Sequence, residues 1–246
     1  HRDLHLSIRR QRQMCIRDMI KVREDLDPTL ALRCSCRASV CGSCAMRVNG
    51  QATLACKTKL KDVIKNDEAS VGPAGNMPVI KDLIVDMKPF WNKLRQVEPY
   101  LQPEDEDPVT NERLASNESM VHLTGVMNCI MCGACVSDCT AMEVNPDFIG
   151  PAALAKAYRF VGDPRDGESK ERLKELSKEN GIWDCTRCFY CVEVCPKEVA
   201  PMEWIMELRD KAMEAGFTNN YGARHTLAFV GLSLIHISEP TRPRLI

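Results

Sequence analysis

Neither sign of charge is in excess: 33 Lys and Arg stand against 34 Asp and Glu. A nucleic-acid binder needs a basic patch or stripe, so none is expected, and there is no acidic tail. No apolar stretch approaches the ~20 residues of a membrane-spanning helix. The longest, around Leu227–Ile237, is broken by Gly231 and His236. Any membrane contact is therefore expected to go through a partner. No apolar segment follows the basic start, so no secretory signal is read there. Aromatic residues are scarce, at 5%.

Cysteine is what the chain has in quantity, with 14 in 246 residues. A disulfide scaffold is not expected, because a chain this long needs no staples and the cysteines are packed into short runs. The first run is Cys36-x4-Cys41-x2-Cys44, with Cys34 before it and Cys56 after. The second is Cys129-x2-Cys132-x2-Cys135-x3-Cys139. The third is Cys185-x2-Cys188-x2-Cys191-x3-Cys195-Pro196. Spacings of this kind let thiolates in one loop converge on an iron–sulfur cluster. Thiolates that bind iron need a reducing compartment, which points to the cytosolic side of a membrane.

The first run, closed by Cys56, predicts a 2Fe–2S site formed by Cys36, Cys41, Cys44 and Cys56. Cys34 does not fit the spacing and reads as a bystander. In two-cluster ferredoxins the fourth cysteine of each run ligates the other cluster. One 4Fe–4S cluster is then expected on Cys129, Cys132, Cys135 and Cys195, and the third cluster on Cys139, Cys185, Cys188 and Cys191. Iron is the expected metal at all twelve thiols. The competing reading is a zinc-stabilised interaction module, but zinc has no use for a fourth cysteine within each run. Small residues in Cys41-Gly42-Ser43-Cys44 and Cys132-Gly133-Ala134-Cys135 would let backbone wrap a cluster closely.

The fold class expected is α+β. Residues 18–78 form a small β-rich domain that includes a hairpin, Ala45–Val48 and Ala52–Ala55, turning on Asn49-Gly50. Residues 79–108 read as a connecting helix and linker. Ile80, Leu83, Ile84 and Met87 recur at helical spacing, and Pro89 and Pro99 interrupt and end the helix. The PEDEDP stretch reads as a solvated acidic turn. Residues 109–232 read as an all-helical domain with a helix opening at Pro151, a helix over Ser169–Glu179 capped at Asn180-Gly181, and a helix over Met202–Ala215. RQRQMCIRD near the start and SLIHISEPTRPRLI at the end look like translated adapter sequence. Residues 1–17, with Cys15, and 233–246 are therefore expected to be foreign or disordered, the alternative being real variable tails.

At SCRASVCGSCAMRVNGQATLAC the chain resembles the iron–sulfur subunits of succinate dehydrogenases and fumarate reductases. The resemblance runs from LDPTLALRCSCR through MKPFWNKLRQVEPYLQP, CIMCGACVSDC and NPDFIGPAALAKAYRFVGDPRD to CVEVCPKEVAP, over roughly residues 18–231. It implies a plant-type ferredoxin domain of β-grasp form, followed by an α-helical ferredoxin domain. Family members have a further hairpin before LDPTL, so the resemblance also implies truncation. It implies a wire that carries single electrons from the FAD of a separate flavoprotein subunit, through three clusters, toward a quinone at a membrane anchor. Fumarate reduction would run the other way. The chain would sit peripherally on the cytoplasmic face of the inner membrane. Dicarboxylate chemistry would belong to the flavoprotein; no catalytic residue is expected here, and His122 and His225 read as surface or packing residues.

Two departures bear on the wire's exit. In many family members the position matching Cys188 is not cysteine and the third cluster is 3Fe–4S; Cys188 predicts 4Fe–4S, at a lower potential. After Cys139, where classical members carry Pro and aromatics, this chain has Thr140-Ala141-Met142-Glu143-Val144. Together these resemble the non-classical branch, whose anchor is cysteine-rich and heterodisulfide-reductase-like. A thiol-dependent fumarate reductase is the alternative oxidoreductase.

Overall fold

Cys15, Ile16, Met19 and Ile20 fall on one face of a helix and are all buried there. That helix, α1 (Cys15–Asp25), is the first element among the described residues of the computed structural model, which are 14–104 and 112–238, with side chains through 232. The N-terminal amides of α1 have no partner within the helix. Two of them reach the turn after the hairpin: Cys15 N–H donates to Thr58 O at 3.0 Å, and Ile16 N–H to Ala55 O at 3.1 Å. Cys15 and Ile16, which lie before the expected boundary at residue 18, are thus packed into this unit. The remaining adapter-like residues, 1–13 and 239–246, and most of the PEDEDP loop lie outside the described residues.

The hairpin forms where alternation and turn chemistry agree. β1 (Ala45–Val48) pairs antiparallel with β2 (Gln51–Leu54), with Val48 opposite Gln51. Asn49 and Gly50 both have positive φ, 51° and 83°, as a type I′ turn requires. Met46, Val48, Ala52 and Leu54 are buried. A short helix, α2 (Leu60–Val63), follows, and β3 (Val71–Gly72) adds to the free edge of β1, giving the order β2-β1-β3. The core of this unit is α1 laid on the hairpin, with Leu32 and Leu83 completing it.

The helix expected from Val79 is not formed. Residues 79–85 make a two-stranded ribbon, β4 (Val79–Lys81) with β5 (Ile84–Val85), turned at Asp82, whose φ is 46°. In the ribbon Leu83 and Val85 are the buried residues and Ile80 is exposed. The turn won because Asp82 accepts the Ala31 amide at 2.8 Å and Leu83 N–H donates to Ala31 O, tying the ribbon to the segment before the first cysteines. The helix begins later, as α3 (Lys88–Gln96), and Pro89 lies in its first turn rather than interrupting it. Phe90 and Leu94 are its buried face.

The rest is helical. α4 (Asn117–Val121) is capped by Ser116 and followed by α5 (Thr124–Met127). α6 (Ala134–Ser137) and α7 (Thr140–Val144) lie on either side of Cys139. α8 (Pro151–Val161) is the central helix, with Leu154, Tyr158 and Val161 buried. α9 (Ser169–Leu176) ends sooner than expected, and Asn180-Gly181 makes the turn beyond it. A 3-10 turn (Ile182–Asp184), α10 (Tyr190–Glu193), α11 (Pro201–Glu214) and α12 (Tyr221–Ser238) complete the order. The backbone of α12 thus continues helical past residue 232. α11 packs along α8, where Trp204 stacks on Tyr158 at 4.8 Å and Leu208 and Ile205 are fully buried. Burying a leucine completely contributes about 1.5–3 kcal/mol. The long helices pack together, and most of the cysteines lie in or beside the short turns and one-turn helices that connect them.

Candidate metal centres

The first cysteine loop is shaped by residues that point amides inward. Arg37, Ser39 and Gly42 have positive φ, and successive turns of this kind aim N–H groups at a common anion. The amides of Ala38, Val40 and Cys41 donate to Cys36 Sγ at 3.3–3.4 Å, and Ser39 N–H donates to Cys56 Sγ at 3.3 Å. The Ser43 hydroxyl, with the amides of the loop and Cys36, draws the Cys41 thiol down to about 6. Burial, with Cys56 and Cys41 alongside, pushes Cys44 up to about 12. Cys36, Cys41, Cys44 and Cys56 are thus brought together. Cys34 packs against the apolar core instead.

The second and third runs have one backbone plan. Met131 and Gly133 have positive φ in one; Arg187 and Phe189 have it at the same offsets in the other. In the second run the amides of Met131 and Ala134 point at Cys129 and Cys132. In the third, those of Arg187 and Tyr190 point at Cys185 and Cys188. Each run then enters a one-turn helix, α6 or α10, and these pack against each other. That pairing carries the last cysteine of each run to the opposite loop.

The electrostatics of the thiols follow this crossing. Cys135 is half-buried, and burial holds its thiol well above the ordinary value, with Cys132, Cys129, Cys191 and Cys195 adding to the effect. Cys129, Cys132, Cys135 and Cys195 line one apolar cavity. Burial raises Cys139, with Cys185 and Cys188 contributing; burial raises Cys191 to about 12, with Cys185, Cys139 and Cys188 contributing. Cys188 differs. Burial pushes it up, but the hydroxyls of Thr140 and Thr186 and nearby amides hold it below the ordinary thiol value. The Thr140 hydroxyl donates to Cys188 Sγ at 3.3 Å.

Buried thiolates without a counter-charge are disfavoured, so these pockets suit a cationic metal. Among the described residues no three Cys, His, Asp or Glu side chains meet at a point that one metal ion could occupy. Within each quartet the thiols are close enough to feel one another's charge without such a meeting point. That arrangement fits ligands spread over the irons of a cluster, two thiolates to each iron in a 2Fe–2S group and one to each in a 4Fe–4S group.

Several supporting residues carried no sequence signal. The Asp138 carboxylate accepts Arg47 Nε at 2.9 Å and the Ala52 amide at 2.7 Å, tying the turn before Cys139 to the hairpin. Asn76 donates to the carbonyls of Val136 and Cys139. Buried Arg209 donates to the carbonyls of Ile182, Trp183 and Cys185. Arg172, also buried, pairs with Asp166 and donates to the carbonyls of Val97, Glu98 and Tyr100, fixing the connector to the helical block. Single Arg, Asp and Asn residues far apart in sequence form no motif. His122 and His225 are exposed.

A β-rich unit with a four-thiol loop, joined to a helical unit with two crossed quartets, defines an iron–sulfur electron carrier of paired ferredoxin-type domains. Residues 3–92 match the 2Fe-2S iron-sulfur cluster binding domain family, and residues 125–199 match the 4Fe-4S dicluster domain family. The chain is 38% identical over 213 residues to the succinate dehydrogenase iron-sulfur subunit of Coxiella burnetii, covering 86% of this chain and 89% of that one. It is 39% identical over 186 residues to the fumarate reductase iron-sulfur subunit of Escherichia coli, covering 76% and 75%. A chain of the Sdh1 complex of Mycobacterium smegmatis in the apo form shares the fold, with a TM-score of 0.77 at 23% identity, covering 84% of this chain and 87% of that one. The chain belongs to the succinate dehydrogenase and fumarate reductase iron–sulfur subunit family. It is an electron-transfer subunit of that oxidoreductase class, with a 2Fe–2S domain and a 4Fe–4S dicluster domain. The thiol-dependent and zinc alternatives are not favoured.

Proposed function

We propose that Cys36, Cys41, Cys44 and Cys56 hold the 2Fe–2S cluster and that Cys129, Cys132, Cys135 and Cys195 hold a 4Fe–4S cluster. Cys139, Cys185, Cys188 and Cys191 hold a second 4Fe–4S cluster. Bound clusters of this kind accept and release one electron at a time. What carries the third assignment is the equivalence of Cys188 and Cys132: each lies in the same left-handed turn, with the amide two residues on pointing at its sulfur. A cysteine placed and solvated in this way is built as a ligand, which favours 4Fe–4S over 3Fe–4S.

The exposure of the thiols supports two ends for the wire. Cys36 and Cys41 are the exposed thiols of the first quartet, and Cys188 is the exposed thiol of the last. Electrons enter from a flavoprotein subunit at the first edge and leave at the Cys188 edge toward a quinone-reactive membrane anchor. The names of the relatives support these partners. Attachment is peripheral, at the cytoplasmic face; among the described residues no helix is long and apolar enough to cross a membrane. The absence of aromatics in residues 140–144 favours a cysteine-rich anchor of the non-classical kind, and co-purification with such a subunit tests it.

The cluster assignment is tested on protein purified anaerobically. About ten iron and ten sulfide per chain are expected, with no isotropic 3Fe–4S EPR signal after mild oxidation. Cys188→Ala should make that signal appear. Its presence in the unaltered protein would overturn the third assignment.

A further inference from the structure

The two ferredoxin-type domains meet at a point where backbone touches backbone. Gly42 lies between Cys41 and Cys44, with φ +73°. A Cβ placed on it would fall 2.8 Å from Cys132 Cβ, 3.0 Å from Cys132 Cα and 3.2 Å from Ile130 O. Two of those three atoms are backbone, so no rotamer change could make room. Cys132 and Ile130 also pack against the apolar core that contains Cys44 and Cys56. Cys132 packs as well against the group formed by Ala52 of the hairpin, Ala134 and Val194. It is therefore the thiol-bearing residue of the helical domain that is embedded in the β-rich domain.

The contact is held from the side by polar groups. Asp138 accepts from Arg47 and Ala52, and the Arg47 guanidinium also donates to Ser137 O at 2.6 Å. The Gly75 amide donates to Ser137 Oγ at 2.8 Å, and Asn76 holds the Val136 and Cys139 carbonyls. These bonds fix the segment between Cys135 and Cys139 against both the hairpin that follows Cys44 and the turn at Gly75-Asn76. Such a set of charge-assisted and amide bonds resists sliding better than apolar contact alone.

We infer that electrons cross between the domains at the Gly42–Cys132 contact, and that Arg47 and Asn76 are positioning residues that set its width. The inference rests on the ligand assignment above. One electron leaves the group held by the first quartet and enters the group held by Cys129, Cys132, Cys135 and Cys195; no bond forms or breaks and no proton moves. Tunnelling weakens steeply as a packed contact becomes a gap, so glycine serves here by letting two cluster loops touch. Both its missing side chain and its left-handed φ are used.

The test uses the full chain in complex with its partner subunits, purified anaerobically and reduced. The microwave power that half-saturates the 2Fe–2S EPR signal reports how strongly the neighbouring cluster relaxes it. Gly42→Ala is expected to lower that power severalfold and to slow reduction of the 4Fe–4S cluster by a comparable factor. Gly50→Ala is the matched control: its φ is +83°, but nothing lies within 4 Å of the added carbon, so relaxation should be unchanged. The double substitution Arg47→Met with Asn76→Ala alters no residue of the Cys36–Cys44 loop or of the Cys129–Cys139 run and should act in the same direction as Gly42→Ala. It decides the matter if Gly42→Ala fails to load iron. Unchanged relaxation and unchanged transfer in the fully loaded double variant would overturn the inference, as would an equal loss in Gly50→Ala. An iron or sulfide shortfall in the unaltered protein would refute the ligand assignment instead.

Discussion

Arg209 is a buried cation whose polar partners, among the described residues, are three carbonyls. Its guanidinium donates to Ile182 O at 2.9 Å, Trp183 O at 3.1 Å and Cys185 O at 2.8 Å, and lies 5.4 Å from the centre of the Trp183 ring. Burial lowers its pKa, with Cys185 the largest opposing influence, yet an arginine in a folded protein keeps its proton. Arg209→Met would refill most of the stem's volume and leave the carbonyls without a donor. Ile182 is fully buried, so its carbonyl incurs the full cost of an unpaired acceptor, about 1–3 kcal/mol. The carbonyls of half-buried Trp183 and Cys185 add less, giving a total of about 2–4 kcal/mol. For a chain of this size that is a fall of about 5–15 °C in the melting point, read as thermal loss of cluster absorbance under anaerobic conditions. The same substitution removes a positive charge that favours the Cys185 thiolate. Redox titration should therefore find the third cluster at a lower potential, since a cation favours the reduced, more negative state. Arg209→Lys keeps the charge but not the planar fork, so it should preserve the potential better than the melting point. A loss below about 2 °C, with an unchanged potential in Arg209→Met, would refute both parts of the reasoning.

Arg172→Met should cost about 3–5 kcal/mol by urea denaturation, because it leaves the buried Asp166 carboxylate unpaired; adding Asp166→Asn should restore part of that loss, and full additivity would contradict direct coupling. The Arg165 guanidinium, opposed by burial and joined by Arg159, holds the Asp163 carboxyl well below the usual range. Its folded pKa is depressed, so the stability it contributes is fully present above the unfolded pKa, about 3.9. It is lost as pH falls through the folded value. The advantage of the unaltered protein over Asp163→Asn should be flat between about pH 6 and 8 and shrink below about pH 4; an advantage that grows on acidification would reverse the sign. Phe189 is held at φ 66° where the sister loop has Gly133, so Phe189→Gly should relieve about 1 kcal/mol of left-handed strain. Unfolding measured on loaded protein should show no net destabilisation, and a loss above about 1 kcal/mol would mean the half-exposed ring packs more tightly than its exposure indicates.

Most of the site was legible along the chain, because a cluster loop is a local object. The spacing of Cys129 to Cys139 and of Cys185 to Cys195 sets which thiols a short turn can present, and small residues at Gly42 and Gly133 mark where backbone must wrap. The Asn49-Gly50 hairpin and the Pro151 helix start were readable for the same reason: turn and cap chemistry act within a few residues. The segment from Val79 to Met87 was not readable. Its apolar spacing suits a helix, and what makes it a ribbon is the bond from Asp82 to the Ala31 amide, 51 residues away. Residues 14–17 misled in the opposite way. Adapter-like text suggested that they be set aside, yet Cys15 and Ile16 are buried against the hairpin.

The sequence by itself determined that three groups of thiols exist, which member of each is most regular, and which family the chain belongs to. The crossing of Cys139 and Cys195 was expected from the two-cluster ferredoxin rule, and the pairing of α6 with α10 is what carries it out. Tertiary structure alone decided how the two domains are joined. The Asp138 carboxylate reaches a hairpin about ninety residues earlier, at distances of 2.7–2.9 Å. Gly42 comes against Cys132 closely enough to leave no room for a methyl group. The physical reason is range: ligand spacing and turn preference are encoded over a few residues, whereas the distance between two clusters is set by packing between segments that are remote in sequence.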